Sequence, residues 1–176
     1  MLQKRSIQKV LIVTDPGIAR LGLTAPLECA LACRGIGVTV YAETRANPTV
    51  SNVEEAASLY RESACQAIIG FGGGSAMDCA KGVGARIAQP NKPINKMRGL
   101  LRIHRLLPLL IAVPTTAGTG SEVTLAAVIT DDETHYKYPI NDFVLIRVLQ
   151  STTRVYVRLA RFHYGADGHG RPDACR

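Results

Sequence analysis

Short apolar blocks separated by glycine, proline and asparagine recur along this chain, and their spacing alternates between strand and helix. Val10–Thr14 is β-branched and runs into Asp15-Pro16-Gly17, which reads as a buried strand ending in a turn. Ile18–Arg34 follows with helical spacing, with an interruption expected near Pro26 and a stop at Gly35. Val38–Tyr41 is a second strand and Asn47-Pro48-Thr49 a turn. Asn52 is placed to cap a helix running to about Ala64, with Glu54 and Glu55 in its first turn. Ala67–Phe71 is a third strand, Gly72-Gly73-Gly74 breaks the chain, and a helix runs from Ser75 to about Ala88. Gln89–Arg105 reads as a polar, basic loop. Leu109–Val113 is a fourth strand ended by Pro114, a Thr/Gly-rich loop follows, and Ala126–Thr130 is a fifth strand. Strands alternating with helices at this spacing predict an α/β fold, a doubly wound, mostly parallel open sheet with helices on both faces. Ligands in such sheets bind at the carboxyl ends of the strands.

The 176 residues suffice for one domain, and 47% of them are hydrophobic, enough to bury a core. No run of 18 apolar residues suggests a membrane span. The polar, basic start leads into a strand with no small-residue cleavage site after it, so a cytoplasmic protein is expected. The five cysteines, Cys29, Cys33, Cys65, Cys79 and Cys175, form no CxxC pair and are expected to be buried, reduced thiols. The net charge of +7 invites a nucleic-acid reading, but Arg147–Arg176 alone contributes +4 and leaves +3 for the other 146 residues. No aromatic-interleaved basic stripe accompanies it, and nucleic acid is not expected as a partner.

Two turns carry the chemistry. Gly72-Gly73-Gly74-Ser75-Ala76-Met77-Asp78 lies where a strand hands over to a helix. Glycines let the backbone approach a phosphate, and a helix start offers free N–H groups and partial positive charge. Ser75 is placed to cap that helix, with Asp78 as the reciprocal cap. A tight, well-capped turn without a ligand fits the same residues, and Lys81 reads as surface charge. The second turn, Pro114–Glu122, holds four hydroxyls and two glycines, a donor-rich loop suited to phosphate or ribose; a solvated loop is the plainer alternative. Asp15, ending the first strand, is placed to accept from ribose hydroxyls, or serves only as the turn residue before Pro16. The glycines do not follow the GxGxxG pattern, so this is not a standard dinucleotide fingerprint.

Gly72–Lys81 (GGGSxxDxAK) and Pro114–Glu122 (PTTAGTGSE) resemble the iron-containing (group III) alcohol dehydrogenases, whose wider superfamily includes glycerol dehydrogenases and dehydroquinate synthases. Val10–Asp15, Asn47-Pro48-Thr49 and Val128–Asp131 match in the same order, so the resemblance covers about Val10–Ile146. It implies a Rossmann-like, dehydroquinate synthase-like nucleotide domain over residues 1–146, followed in the family by an all-helical metal domain. It implies hydride transfer between a primary alcohol and NAD, in a homo-oligomer. Carried over by residue, Asp15 corresponds to the adenosine-ribose acid and Asn47 to a turn beside the adenine pocket. Gly73, Gly74 and Ser75 correspond to the pyrophosphate loop. Thr115, Thr116 and Thr119 lie along the cofactor, joined by Thr124, and Lys137 falls near the nicotinamide ribose.

The resemblance stops before the metal. In the family an iron ion polarises the alcohol oxygen, held by one Asp and three His, two of them on a helix reading ATGMDALTHA. No such helix occurs here. Read one nucleotide downstream with free codon choice, Arg158–Arg176 can encode GLPAFITAPTGMDALTHA, and Arg147–Val155 read two nucleotides downstream can encode RAAVYDPR. A truncated, frameshifted end is therefore expected, with 147–176 an aberrant, disordered basic tail; His163, Asp167, His169 and Asp173 are not expected to bind metal. His104 and His135 are expected to be exposed. These readings predict a chain related by descent to an NAD-dependent dehydrogenase of small alcohols or aldehydes, inactive for want of iron ligands. The alternatives are a non-catalytic nucleotide-binding fragment and a decayed gene product that leaves apolar surface uncovered.

Overall fold

The computed structural model describes residue 2 and residues 6–116, 119–146 and 148–150. Its centre is a five-stranded, wholly parallel sheet. The strands are β1 (Lys9–Val13), β2 (Gly37–Tyr41), β3 (Ala67–Gly72), β5 (Leu109–Pro114) and β8 (Val148–Gln150), in the order β2-β1-β3-β5-β8. Between them run α1 (Pro16–Arg20), α2 (Ala25–Ala32), α3 (Val50–Glu62) and α4 (Gly74–Ala88). A second sheet, order β4-β7-β6, is built from β4 (Gly99–Leu100), β6 (Ala126–Thr130) and β7 (Lys137–Asn141).

The near-continuous apolar runs have the cause expected of parallel strands buried on both faces. Alternate side chains serve two cores. Leu11, Val13, Ile68 and Leu110 face α3 and α4, packing with Val53, Ala56, Ala57, Ala80 and Val83. Val10, Ile12, Ile69 and Phe71 face the other way, against Ile18 and Leu31 of α1 and α2. The doubly wound parallel fold expected from the sequence is therefore the fold observed. Among the described residues, no helix is long and apolar enough to cross a membrane.

Several local expectations need correcting. The helical segment 18–34 is interrupted near Pro26 as expected, between Arg20 and Ala25, and Pro26 itself lies in the first turn of α2, where proline's missing N–H costs nothing. Gly35 does close the segment, at φ +69°. The cap of α3 is Thr49, whose hydroxyl accepts from Asn52 N while Asn52 Oδ1 accepts from Thr49 N; Asn52 is the reciprocal partner in a capping box. Asn52 is also a hub: its Oδ1 accepts from Arg45 N, and its amide donates to Tyr41 OH and the Glu43 carbonyl. Ala126–Thr130 is a strand, but it pairs antiparallel with β7 outside the parallel sheet. The loop 89–105 is less polar in effect than in composition, because Ile94, Met97 and Ile103 are buried. Of the cysteines, Cys65 and Cys79 are buried free thiols, Cys33 is exposed, and half-buried Cys29 is not among the free ones. His104 and His135 are exposed as expected.

β8 pairs with β5 through Leu110–Ala112, so the sheet continues past Ile146, where the sequence reading ended the domain. Residues 151–176, with the expected basic tail and its four tempting His and Asp residues, lie outside the described residues.

The capping box generates a graded prediction. Thr49→Ala should cost about 1 kcal/mol of unfolding free energy, the usual cost of a lost cap. Asn52→Ala empties a buried four-bond hub and should cost roughly 2–3 kcal/mol. Urea midpoints rank the two, and equal losses would contradict the hub role.

Candidate functional site

β3 and β5 end level with one another, Gly72 beside Pro114, and β1 ends two residues earlier at the same edge, with Val13 beside Gly70. The first turn leaves β3 at Gly72, whose φ is +152° and whose added Cβ would fall 2.7 Å from Ala76 Cβ. Only glycine serves both demands there. Gly73 is the N-cap of α4, in extended backbone and without a side-chain cap, and the first turn of the helix holds no acidic residue. The amides of Gly74, Ser75 and Ala76 therefore open the helix with no intrahelical acceptor, at a positive end that no acidic residue of its own first turn offsets. The expected cap by Ser75 and Asp78 is not made. Ser75 Oγ instead accepts from Asn47 N at 3.2 Å, and Asp78 Oδ2 accepts from Val128 N at 3.2 Å. The reason is one of register: the helix begins two residues before the position at which Ser75 would cap it.

The second turn lies directly against the first. Thr115 N donates to the Gly72 carbonyl at 2.8 Å. A Cβ on Gly73 would stand 3.3 Å from Thr116 Oγ1, and one on Gly74 would stand 3.0 Å from Ser121 Oγ and 3.9 Å from Thr119 Cβ. Asp15 closes one end: its Oδ1 accepts from Ile18 N and caps α1, while its Oδ2 points toward Gly72, 3.4 Å from that residue's Cβ position. Asp15, Asn47, Gly73, Gly74, Ser75, Thr115, Thr116 and Thr119 are thus neighbours at one sheet edge. Two other predicted residues sit differently. Thr124 has its hydroxyl engaged by the Lys81 ammonium at 3.0 Å, and Lys137 stands exposed at the start of β7.

The largest departure from the sequence reading is Lys81. It is 1% exposed, not surface charge, and its Nζ donates to the carbonyls of Ser121 (2.6 Å), Thr124 (2.7 Å) and Ala126 (2.9 Å). Burial pulls its ammonium down to about 8, opposed by the charges of Asp78 and Glu122. Burial likewise pushes the Asp78 carboxyl up to about 6, opposed by the Val128 amide and Lys81. One signal could have found the pair: Asp78 and Lys81 lie one turn apart on the same helix face as buried Ala85 and Ala88. The buried thiols are poor nucleophiles, since burial drives Cys79 to about 12 and raises Cys65.

Residues 1–148 match the family described as iron-containing alcohol dehydrogenase. The chain belongs to that family. As a member of the iron-containing alcohol dehydrogenases it is 39% identical over 134 residues to choline dehydrogenase of Bacillus subtilis, covering 75% of this chain and 33% of that protein. Its fold superposes on the alcohol dehydrogenase from Oenococcus oeni with a TM-score of 0.83 at 35% identity, covering 89% of this chain and 42% of that one. Sulfoacetaldehyde reductase from Bifidobacterium kashiwanohense, solved in complex with NAD+, superposes at a TM-score of 0.70 and 27% identity, over 86% of this chain and 40% of that one. The chain spans about a third of the length of the curated relatives it matches. Among the described residues no cluster of three or more metal-ligating side chains occurs, so they do not fit the iron that gives the family its description.

The raised Asp78 has a signed consequence. A carboxyl whose folded pKa of about 6 exceeds its ordinary 3.8 stabilises the fold fully below pH 3.8 and loses that contribution as pH rises through 6. Wild type should therefore lose roughly 2–3 kcal/mol relative to Asp78→Asn between pH 4 and pH 7. Chemical denaturation of both proteins at those pH values checks this, and a difference independent of pH would contradict it.

Proposed function

We propose that this chain is the nucleotide-binding part of an NAD-dependent alcohol dehydrogenase and that the crevice between the two turns grips the cofactor's diphosphate. The observation that carries the reading is the juxtaposition at Gly73 and Gly74. Glycine leaves open the space that any side chain would close against Thr116 and Ser121. The uncapped first turn of α4 supplies N–H donors on one wall, and the Thr116 and Ser121 hydroxyls stand on the other, with Thr119 beside them.

The same reading gives each predicted residue a task. Gly73, Gly74 and Ser75 present backbone amides to the diphosphate, with Thr115, Thr116 and Thr119 alongside. Asp15 offers its free Oδ2 to the adenosine ribose while Oδ1 stays committed to α1. Asn47 shapes the adenine side, at φ 61° and tied to Ser75. Thr124 acts through the turn it braces, and Lys137 lies toward the nicotinamide ribose. NAD supplies the hydride acceptor when bound. The substrate class is a small primary alcohol or aldehyde, in a cytoplasmic, homo-oligomeric enzyme. Among the described residues no cluster of three or more metal-ligating side chains occurs, so the role proposed for them is nucleotide binding.

Calorimetric titration of the purified chain with NAD tests the reading. Saturable binding is expected, abolished by Gly74→Val, whose side chain would fill the crevice. No binding by wild type, or equal binding by the variant, would refute it. Asp15 adds a second expectation. Its carboxylate repels a 2′-phosphate, so NADP should bind at least ~10-fold more weakly than NAD. Asp15→Asn, which keeps the α1 cap, should weaken NAD binding several-fold and narrow that gap. An unchanged NAD/NADP ratio would remove Asp15 from the ribose.

A further inference from the structure

α4 carries two ionisable side chains that take no part in the crevice just described. Lys81 turns toward the chain that leads from the hydroxyl-bearing turn into β6, and Asp78 toward β6 itself. Lys81 Nζ lies within hydrogen-bond distance of four acceptors: the Ser121, Thr124 and Ala126 carbonyls and Thr124 Oγ1. An ammonium has three protons, so at least two acceptors share one. The Thr124 hydroxyl closes the knot, 3.3 Å from the Ser121 and Ala126 carbonyl oxygens. Asp78 pins the adjacent strand through Val128 N.

Ser121–Leu125 is turn and loop, with no strand ladder to receive its carbonyls. Carbonyls turned inward need donors, and a buried ammonium needs acceptors, so each makes the other tolerable. The geometric result concerns Ser121. Its carbonyl is held by Lys81, while its hydroxyl stands 3.0 Å from the Cβ position of Gly74. Gly74 and Lys81 are seven residues, two turns, apart on one helix. Both walls of the crevice are therefore referenced to α4: one is its first turn, and the other hangs from its buried ammonium.

We infer that Lys81 is a positioning residue of the crevice, whose ammonium holds the turn Thr119–Leu125 at the separation from Gly73–Ser75 that a diphosphate needs. The inference rests on the diphosphate reading given above. Lys81 meets no ligand itself. Burial lowers its proton affinity only to about 8, against the pull of Asp78 on its own helix and Glu122 on the turn, so the charge is kept at neutral pH. A lysine that merely filled space would be replaceable by an apolar chain of the same length. A clasp would not be.

The test uses the full chain and Lys81→Met, which keeps length and removes the charge. Amide hydrogen exchange over Thr119–Leu125 should accelerate roughly ten-fold while β1 and β3 keep their protection. ADP should bind roughly ten-fold more weakly, with adenosine binding unchanged, because only the diphosphate spans the two walls. General loosening of the fold would weaken both ligands together, and that outcome, or unchanged exchange in the turn, would overturn the inference. If wild type binds no ADP, the diphosphate reading fails by itself, and exchange alone decides whether Lys81 holds the turn. If Lys81→Met loses protection in β1 and β3, Thr124→Val removes one acceptor more gently. About three-fold faster exchange confined to the turn is then expected, and no change would overturn the inference.

Discussion

The hydrogen bond from Thr115 N to the Gly72 carbonyl, 2.8 Å long, joins the two places where the chain leaves the parallel sheet. It exists because β3 and β5 run in register to their last residues, Gly72 beside Pro114. In a parallel sheet all strands end at the same edge, so the peptides beyond them emerge side by side. Everything proposed for the crevice follows from that constraint. The glycines at 73 and 74 allow the two emerging turns to lie within contact of one another without a side chain between them. Proline at 114 ends the ladder, and Gly72 turns the chain into α4 within one residue.

The helix then makes the arrangement rigid. Its first turn is unsatisfied at the crevice, and two turns later its buried lysine ties down the opposite wall. The Arg86–Glu54 ion pair at 2.6 Å joins it to α3, and the apolar face between them packs on β1 and β3. A site built between a helix and a loop gains precision when the loop is anchored to that helix. The cost is two ionisable groups held out of water, and the opposed shifts of Asp78 and Lys81 record it.

Much of this was legible in the residues. The apolar blocks gave four strands of the parallel sheet to within a residue or two, because strands buried on both faces leave no choice of composition. Gly35 marked the end of α2, and the two glycine- and hydroxyl-bearing turns stood out as the places for chemistry. What failed was information that only packing supplies. Val128–Thr130 reads as a strand, but nothing local says that its partner is Tyr138 in a second sheet and not β5. Thr49 and Asn52 are both good capping residues, and which of them caps depends on where the helix starts. Lys81 read as solvent-facing since lysine usually is; its burial depends on four acceptors forty or more residues away.

The claim that two turns act as a single grip is tested most directly by following individual backbone amides during titration with NAD. Nuclear magnetic resonance of the 15N-labelled chain should show the signals of Gly73, Gly74 and Ser75 moving together with those of Thr115, Thr116 and Thr119, along one binding isotherm. Shifts confined to one of the two turns, or centred elsewhere on the sheet, would contradict it.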